Sequence, residues 1–193
     1  MNKIDYNQIV SPEKMEGAYI NNEFVGFVED YSVIHCLLKE WRPTNIFEIG
    51  TNIGNGCKVI RASCPTARII TLDIRSDAGS LCPSDVIKIT GDSLTYDYEK
   101  QYPIDCWFID GEHTYHNVYT ETTKALLSDP KYIIYHDADI EEIYKGIKDS
   151  FRDNNAEAKY NLNQVINPPF IYSSSGKKVT RVAYAIKNKD NKQ

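Results

Sequence analysis

The sequence predicts an α/β fold built on one doubly wound, mostly parallel sheet of seven strands, with the last strand antiparallel. Three observations lead to this prediction. Short apolar runs alternate with segments of helical periodicity along most of the chain, which is typical of a parallel sheet covered on both faces. A glycine-rich turn follows the first run. The last two runs have no helix between them, which indicates an antiparallel pair at the sheet edge.

The elements follow in order from residue 30. The first clear helix begins at Asp30 and ends before Pro43, with apolar residues at i, i+3, i+4 and i+7 (Ile34, Leu37, Leu38, Trp41). The predicted strands are Ile46–Ile49, Arg68–Ile74, Val86–Thr90, Cys106–Ile109, Tyr132–Tyr135, Asn161–Ile166 and Val179–Ile186. The helices predicted between them are Cys57–Ser63, Tyr115–Leu127 and Ile140–Phe151.

The 193 residues are predicted to form a single domain. Residues 1–42 would make a helical lid segment with a helix start at Ser11-Pro12-Glu13, and residues 187–193 a polar tail. Several aromatic side chains fall in irregular segments that would close over a cleft; they are Tyr19, Phe24, Phe27, Phe170 and Tyr172.

Composition excludes several classes of protein. The net charge of −5 argues against a broad nucleic-acid surface, which needs clustered Lys and Arg. The polar start does not resemble a signal peptide, and no apolar run approaches the roughly 20 residues of a membrane helix. Five cysteines without a CxxC pair indicate reduced thiols, so we expect a cytoplasmic protein. The sequence does not determine its oligomeric state.

The glycine-rich turn is the most informative motif. A strand that carries Glu48 opens into a turn and then a helix, and the residues of interest are Glu48, Gly50, Thr51, Asn52, Gly54 and Gly56. Glycines let the backbone approach a ligand closely, and the helix start offers unpaired N–H groups to an anion. A carboxylate at Glu48 suits a cationic amine, so the turn fits an amino-acid-like cofactor better than a pyrophosphate.

Polar side chains also stand at the carboxyl ends of the later strands, where open parallel sheets bind ligands. They are Asp73 after the second strand, Asp92 and Ser93 after the third, Asp110 and His113 after the fourth, and His136 and Asp137 after the fifth. Helix capping explains any one of them, but it explains five successive strand ends less well.

With these motifs in order, the chain from Ile34 to Ile186 resembles the class I S-adenosylmethionine-dependent methyltransferases, which share a Rossmann-like fold. The resemblance implies S-adenosylmethionine as cofactor, bound by the glycine turn together with Ile74 and Asp110. It also implies that Asp73 holds the ribose hydroxyls and that Asp92 and Ser93 lie against the adenine. Asp73 lies 25 positions beyond Glu48, close to the spacing expected for a ribose-binding acid.

A narrower resemblance rests on Asp110-Gly111-Glu112-His113 and the later pair His136-Asp137. This pattern is similar to macrocin-type and cephalosporin-biosynthesis O-methyltransferases. It implies a small-molecule hydroxyl acceptor, such as a sugar or secondary metabolite, with His113 as general base. A histidine with an ordinary pKa of about 6.5 suits that role at neutral pH. Asp110 and Asp137 would position the acceptor, directly or through a cation.

The same resemblance raises a divalent cation, Mg²⁺ or another, with Asp110, His136 and Asp137 as candidate ligands. His136 stands where metal-binding members have a second carboxylate. Since Mg²⁺ prefers oxygen ligands, an imidazole would favour Mn²⁺, Fe²⁺ or Zn²⁺, or no metal at all, and the metal is left open.

Three alternatives stay open. The spacing Gly50-x-x-x-Gly54-x-Gly56 with Tyr144-x-x-x-Lys148 also fits an NAD(P)-dependent short-chain oxidoreductase. Asn167-Pro168-Pro169-Phe170 spells the tetrapeptide of N6-adenine methyltransferases, although it lies in the late hairpin rather than after the fourth strand. A methyltransferase fold kept as a non-catalytic binding module is the third.

Overall fold

The computed structural model describes residues 1–11, 28–166 and 179–189. Eight strands are present: β1 (Asn2–Asp5), β2 (Asn45–Ile49), β3 (Arg68–Asp73), β4 (Ile87–Thr90), β5 (Cys106–Ile109), β6 (Tyr132–Tyr135), β7 (Tyr160–Ile166) and β8 (Val179–Lys187). The α-helices are α1 (Tyr6–Ile9), α2 (Val28–Trp41), α3 (Asn55–Ser63), α4 (Tyr115–Leu127) and α5 (Glu141–Asp153). A 3₁₀ turn spans Tyr98–Gln101.

Several sequence predictions fall outside the described residues. These are the helix start at Pro12 and Glu13, the five aromatic residues expected to close over the cleft, the tetrapeptide at 167–170, and the tail beyond residue 189.

The strands form one sheet in the order β1-β7-β8-β6-β5-β2-β3-β4. All neighbours are parallel except β8, which runs antiparallel to both β6 and β7. The predicted fold class and the antiparallel last strand are therefore confirmed. The order reverses between β2 and β5, since β2 pairs with β3 on one side and with β5 on the other. Ligands of open parallel sheets bind at such a reversal.

The count of seven strands was wrong by one, and the antiparallel pair does not form the sheet edge. Residues Asn2–Asp5 add β1 to the outside of β7, in parallel register from Asn2 opposite Asn163 to Asp5 opposite Ile166. This strand has an exposed polar start and no apolar alternation, so its pairing depends on a partner 161 residues away. Asp5 then caps α1 through a capping box with Gln8.

Each face of the sheet has its own core. Ile46 of β2 packs with α2 and α3 on one face, where Ile34, Leu38 and Ile60 are buried. Phe47 and Ile49 of the same strand point to the other face and pack with α4 and α5, including Val118 and Ile147. The two cores follow from the two-residue period of the strands and bring the carboxyl ends of β2, β3, β4 and β5 to one rim.

Across the described residues, no helix is long and apolar enough to span a bilayer. All five cysteines lie in this part of the chain as free thiols.

Candidate active site

The glycine turn after β2 has the backbone conformation that its sequence predicts. Gly50 and Gly54 have φ of +92° and +100°, a region in which side chains are strained. A Cβ on Gly50 would lie 1.9 Å from the Asp110 carbonyl oxygen, so this position also brings β2 and β5 together closely. Gly54 is the N-cap of α3 and offers no side-chain cap. The first N–H groups of α3 are therefore available to an anionic group.

Glu48 lies beneath the turn rather than on its surface. Its side chain is 1 % exposed, and Oε2 accepts hydrogen bonds from the Cys57 thiol at 2.8 Å and the Thr71 hydroxyl at 2.5 Å. A Cβ on Gly56 would lie 2.0 Å from Oε1, so Gly56 makes room for the carboxyl group. Burial raises the pKa of Glu48 to about 7. The predicted contact with a cofactor amine stays a prediction, because the carboxyl group is covered here.

A cavity of about 660 Å³ opens at the rim where β2, β3, β4 and β5 end. Its lining includes most of the predicted site: Gly50, Asn52, Asp73, Ile74, Asp92, Ser93, Asp110 and His113. Thr51 is buried and bonds to the Thr71 hydroxyl at 2.6 Å. Four predicted residues of the turn region do not belong to this lining: Glu48, Thr51, Gly54 and Gly56.

Backbone N–H groups hold the two acidic residues in the middle of the cavity. Asp73 accepts from the N–H of Asn52 at 2.8 Å and of Arg75 at 2.9 Å. Asp92 accepts from the N–H of Leu94 at 2.8 Å. Each carboxylate oxygen keeps a further lone pair for a ligand hydroxyl. Ile74, 73 % exposed, adds an apolar face beside them.

A cluster of carboxylates and imidazoles forms the other end of the cavity. His113 Nε2 lies 3.0 Å from Asp137 Oδ2 and 3.7 Å from Asp110 Oδ1. His136 Nδ1 lies 2.9 Å from the same Asp137 oxygen and 3.2 Å from Asp110 Oδ1. Thr114 caps α4 by accepting from the N–H of Asn117, which fixes His113 just before the helix. The structure thus brings together all four residues predicted for catalysis or metal binding.

These contacts change the protonation expected at neutral pH. The Asp110 and Asp137 carboxylates raise the pKa of His113 to about 10, well above the ordinary value expected from the sequence. Hydrogen bonds to Asp110 and Asp137 also raise the pKa of His136, against its burial. The imidazoles in turn lower the pKa of both Asp110 and Asp137. These shifts favour ion pairs between the carboxylates and protonated imidazoles.

Two further residues of this cluster escaped the sequence analysis. The Arg181 guanidinium on β8 bonds to Asp137 Oδ1 at 2.7 Å and to Asp30 Oδ2 at 3.0 Å. Asp30 on α2 also lies 3.5 Å from His136 Nε2 and is 4 % exposed. Both belong to elements far from the motifs in sequence, so only the sheet order places them here. The one signal in the sequence was an acidic residue, Asp30, at the start of a helix with a strong apolar face.

A third missed residue, Glu121 of α4, lies under the middle of the cavity. It is 1 % exposed, and its Oε1 accepts from the Ser93 hydroxyl at 2.6 Å. Burial raises its pKa to about 7. Its place on the apolar face of α4 was a signal, because acidic residues seldom occupy buried positions without a partner.

The pair Tyr144 and Lys148, which suggested an oxidoreductase, lies on α5. The Lys148 Nζ sits 5.5 Å from the centre of the Tyr144 ring, and neither residue belongs to the cavity lining. The helical spacing of α5 accounts for this motif.

No protein-family model and no curated protein matches the sequence. Solved structures do match. The O-methyltransferase from Bacillus cereus in complex with SAH (S-adenosylhomocysteine) has a TM-score of 0.63 at 19 % identity, over 84 % of this chain and 82 % of that one. TomG, an O-methyltransferase from Streptomyces achromogenes in complex with SAM, has a TM-score of 0.64 at 15 % identity, over 93 % and 91 %.

MycE, a methyltransferase of the mycinamycin biosynthetic pathway solved with Mg, SAH and mycinamycin VI, has a TM-score of 0.63 at 16 % identity. The match covers 93 % of this chain and 55 % of that one. At identities this low, the structural similarity establishes a shared fold and nothing more. The Rossmann-like methyltransferase fold expected from the sequence is thereby confirmed.

Proposed function

We propose that this protein is an S-adenosylmethionine-dependent methyltransferase that transfers the methyl group to a hydroxyl of a small molecule. One observation supports this most strongly: a single cavity joins the glycine turn, Asp73 and Asp92 to His113. The solved structures of the same fold that bind SAH or SAM agree with it. The net charge of −5 disfavours a nucleic-acid acceptor.

The cavity provides a different chemistry at each strand end, which matches the three parts of the donor. Gly50 and Asn52 line the cavity, and the uncapped start of α3, which lies beyond them and outside the lining, would suit the donor carboxylate. The Asp73 carboxylate, held by two backbone N–H groups, suits a ribose diol. Ile74 and Leu94 offer apolar contact to a base beyond it, near Ser93. The sulfonium would then lie between the glycine turn and Asp110, toward the His113 end.

In the reaction, the acceptor oxygen attacks the methyl carbon while the bond from that carbon to sulfur breaks, and S-adenosylhomocysteine leaves. His113 would take the hydroxyl proton. Its Nε2 is directed at Asp137, which orients the ring and leaves Nδ1 for the acceptor. Because the His113 pKa is about 10, the neutral imidazole is scarce at neutral pH. Turnover should therefore rise with pH toward about 10.

The cluster does not fit Mg²⁺ well. Asp110, His113 and Asp137 place potential ligand atoms within 4.8 Å of one another. However, both oxygens of Asp137 already accept hydrogen bonds, one from Arg181 and the other from the imidazoles. Arg181, His113 and His136 lie against Asp30, Asp110 and Asp137 and would offset much of their negative charge. MycE was solved with Mg, whereas in this chain Arg181 and the imidazoles already engage both Asp137 oxygens.

Calorimetric titration of the purified protein with S-adenosylmethionine, S-adenosylhomocysteine and NADH tests the donor. We expect both sulfur nucleosides to bind, and NADH not to bind. Replacing Asp73 with Asn should weaken binding of both by about tenfold or more, because a charged acceptor is lost at the diol. Glu142→Gln, on the exposed start of α5, is the matched control. Binding of NADH alone would refute the assignment and restore the oxidoreductase alternative.

An activity assay separates an enzyme from a non-catalytic binding module. With a pool of hydroxylated small molecules as acceptors, S-adenosylhomocysteine release should fall at least about 100-fold in His113→Ala, while donor affinity stays within about threefold. Release that is equal in the two proteins would remove His113 from the mechanism. Donor binding without S-adenosylhomocysteine release in the presence of any acceptor would favour the non-catalytic module. Unchanged release after EDTA treatment is expected from the ion pairing of Asp137.

A further inference from the structure

The feature that the proposed reaction leaves unused is the carboxyl group of Glu121. One of its oxygens accepts from the Ser93 hydroxyl at 2.6 Å. The other, Oε2, is buried, and among the described residues it has no hydrogen-bond donor. An unsatisfied buried carboxylate oxygen is costly, so natural sequences seldom keep one without a use.

This carboxyl group lies directly beneath the cavity. Ser93 and Gly111 both belong to the lining and cover it. A Cβ on Gly111 would lie 3.0 Å from Oε1 and 3.4 Å from Oε2, so the glycine lets the carboxyl group approach the cavity floor. Glu121 therefore acts on the cavity through Ser93.

The hydrogen bonds of Ser93 determine what it presents to a ligand. A serine hydroxyl has one proton, and here that proton is donated to Glu121. Only the lone pairs of the hydroxyl oxygen are left for the cavity. The Ser93 carbonyl is also occupied, because it accepts from the Tyr98 hydroxyl at 2.9 Å. Lys124 Nζ donates to the neighbouring Leu94 carbonyl at 2.7 Å and holds this loop in place.

We propose that Glu121 is a positioning residue for nucleobase specificity: by fixing the Ser93 proton, it makes this end of the cavity select a base that donates a hydrogen bond. Adenine carries an exocyclic amine and satisfies Ser93. Hypoxanthine carries an oxo group at that place, whose lone pairs would face those of Ser93. The inference rests on the proposed function, since that function places the base at Ser93.

The charged groups that face Glu121 are Asp92, His113 and Lys124. Because the Glu121 pKa is about 7, binding should be measured near pH 8.5, where the carboxylate is ionised and only accepts. Under this condition the direction of the hydrogen bond from Ser93 is fixed.

The test compares S-adenosylhomocysteine with S-inosylhomocysteine, its deaminated counterpart, by calorimetry. The wild-type protein should bind the adenosyl compound about 10–100-fold tighter. In Glu121→Gln, the amide can donate to Ser93 and release the serine proton toward an oxo group, so this ratio should fall about tenfold or more. Glu142→Gln should keep the wild-type ratio.

A double-mutant comparison distinguishes this role from a merely structural one. Ser93→Ala should lose the preference, and adding Glu121→Gln to it should change the ratio no further. If Glu121→Gln does not fold, the ratio in Ser93→Ala decides, and an unchanged ratio overturns the proposal. Equal weakening of both compounds in Glu121→Gln would also overturn it, because this marks a structural effect. If the wild-type protein binds neither compound, the proposed function itself fails.

Discussion

The buried carboxyl group of Glu48 makes a quantitative prediction about stability. Its pKa rises from 4.5 to about 7 on folding, because burial disfavours the charged form. Between these two values the folded protein keeps a proton that the unfolded chain has lost. The free energy of unfolding must therefore decrease as pH rises through this window. A shift of roughly 2.5 pKa units corresponds to about 3 kcal/mol, lost in full above pH 7.

Glu48→Gln removes the titrating group and keeps its shape. The amide oxygen can still accept from Cys57 and Thr71, the two donors that Glu48 has now. We therefore expect the free energy of unfolding of the variant to rise relative to that of the wild-type protein, by about 2–3 kcal/mol between roughly pH 5 and pH 8.

Urea unfolding of both proteins, followed by circular dichroism over this pH range, measures the difference. Glu121 has a similarly raised pKa, but it is present in both proteins and cancels in the comparison. The exposed Glu142→Gln should show no pH-dependent gain. If the free energies of unfolding of the wild type and Glu48→Gln run parallel with pH, the carboxyl group is ionised in the folded protein and burial does not raise its pKa.

Three further substitutions test the site's supports by urea unfolding. Gly50→Ala places a Cβ 1.9 Å from a backbone oxygen at φ of +92°, and should lower the free energy of unfolding by about 3 kcal/mol or more. In the control Gly91→Ala, the Cβ lies 3.3 Å from a flexible side chain and should cost under about 1 kcal/mol. Equal losses in the two variants would contradict the close approach at Gly50. Thr114→Ala removes the cap of α4 and should cost about 1 kcal/mol; no loss would show that the cap is dispensable. Arg181→Met leaves the Asp137 carboxylate buried without its guanidinium and should cost about 3 kcal/mol, and a loss below about 0.5 would show that the imidazoles suffice.

Local patterns in the sequence were enough to predict most of the fold. Helix α4 spans Tyr115–Leu127 as predicted, because its apolar spacing and the Thr114 cap are both local signals. The strand β5 likewise matches Cys106–Ile109 as predicted. By contrast, β1 escaped prediction because three of its four residues are polar and it is held in place by pairing with β7, which depends on distant residues.

The candidate site divides in the same way. Asp73 ends β3, and Asp110 directly follows β5 with His113 shortly after it, so their place on the rim could be predicted from order alone. Spacing says nothing about how deeply a side chain is buried, and so the position of Glu48 beneath the turn was unexpected. The pKa of His113 could not be predicted either, because it depends on Asp110 and also on Asp137, which lies 24 positions later in the chain, beyond the end of β6.

The interior place of β8 has a consequence for how the chain is made. Among the eight strands of the described residues, β8 is synthesised after the other seven, yet it lies between β6 and β7 and supplies the guanidinium that pairs with Asp30 and Asp137. Until β8 docks, β6 is an unpaired edge strand, and β7 and β1 have no strand that links them to the rest of the sheet. Before β8 docks, Asp30 and Asp137 therefore lack their guanidinium partner, and the cluster is complete only once this strand is in place.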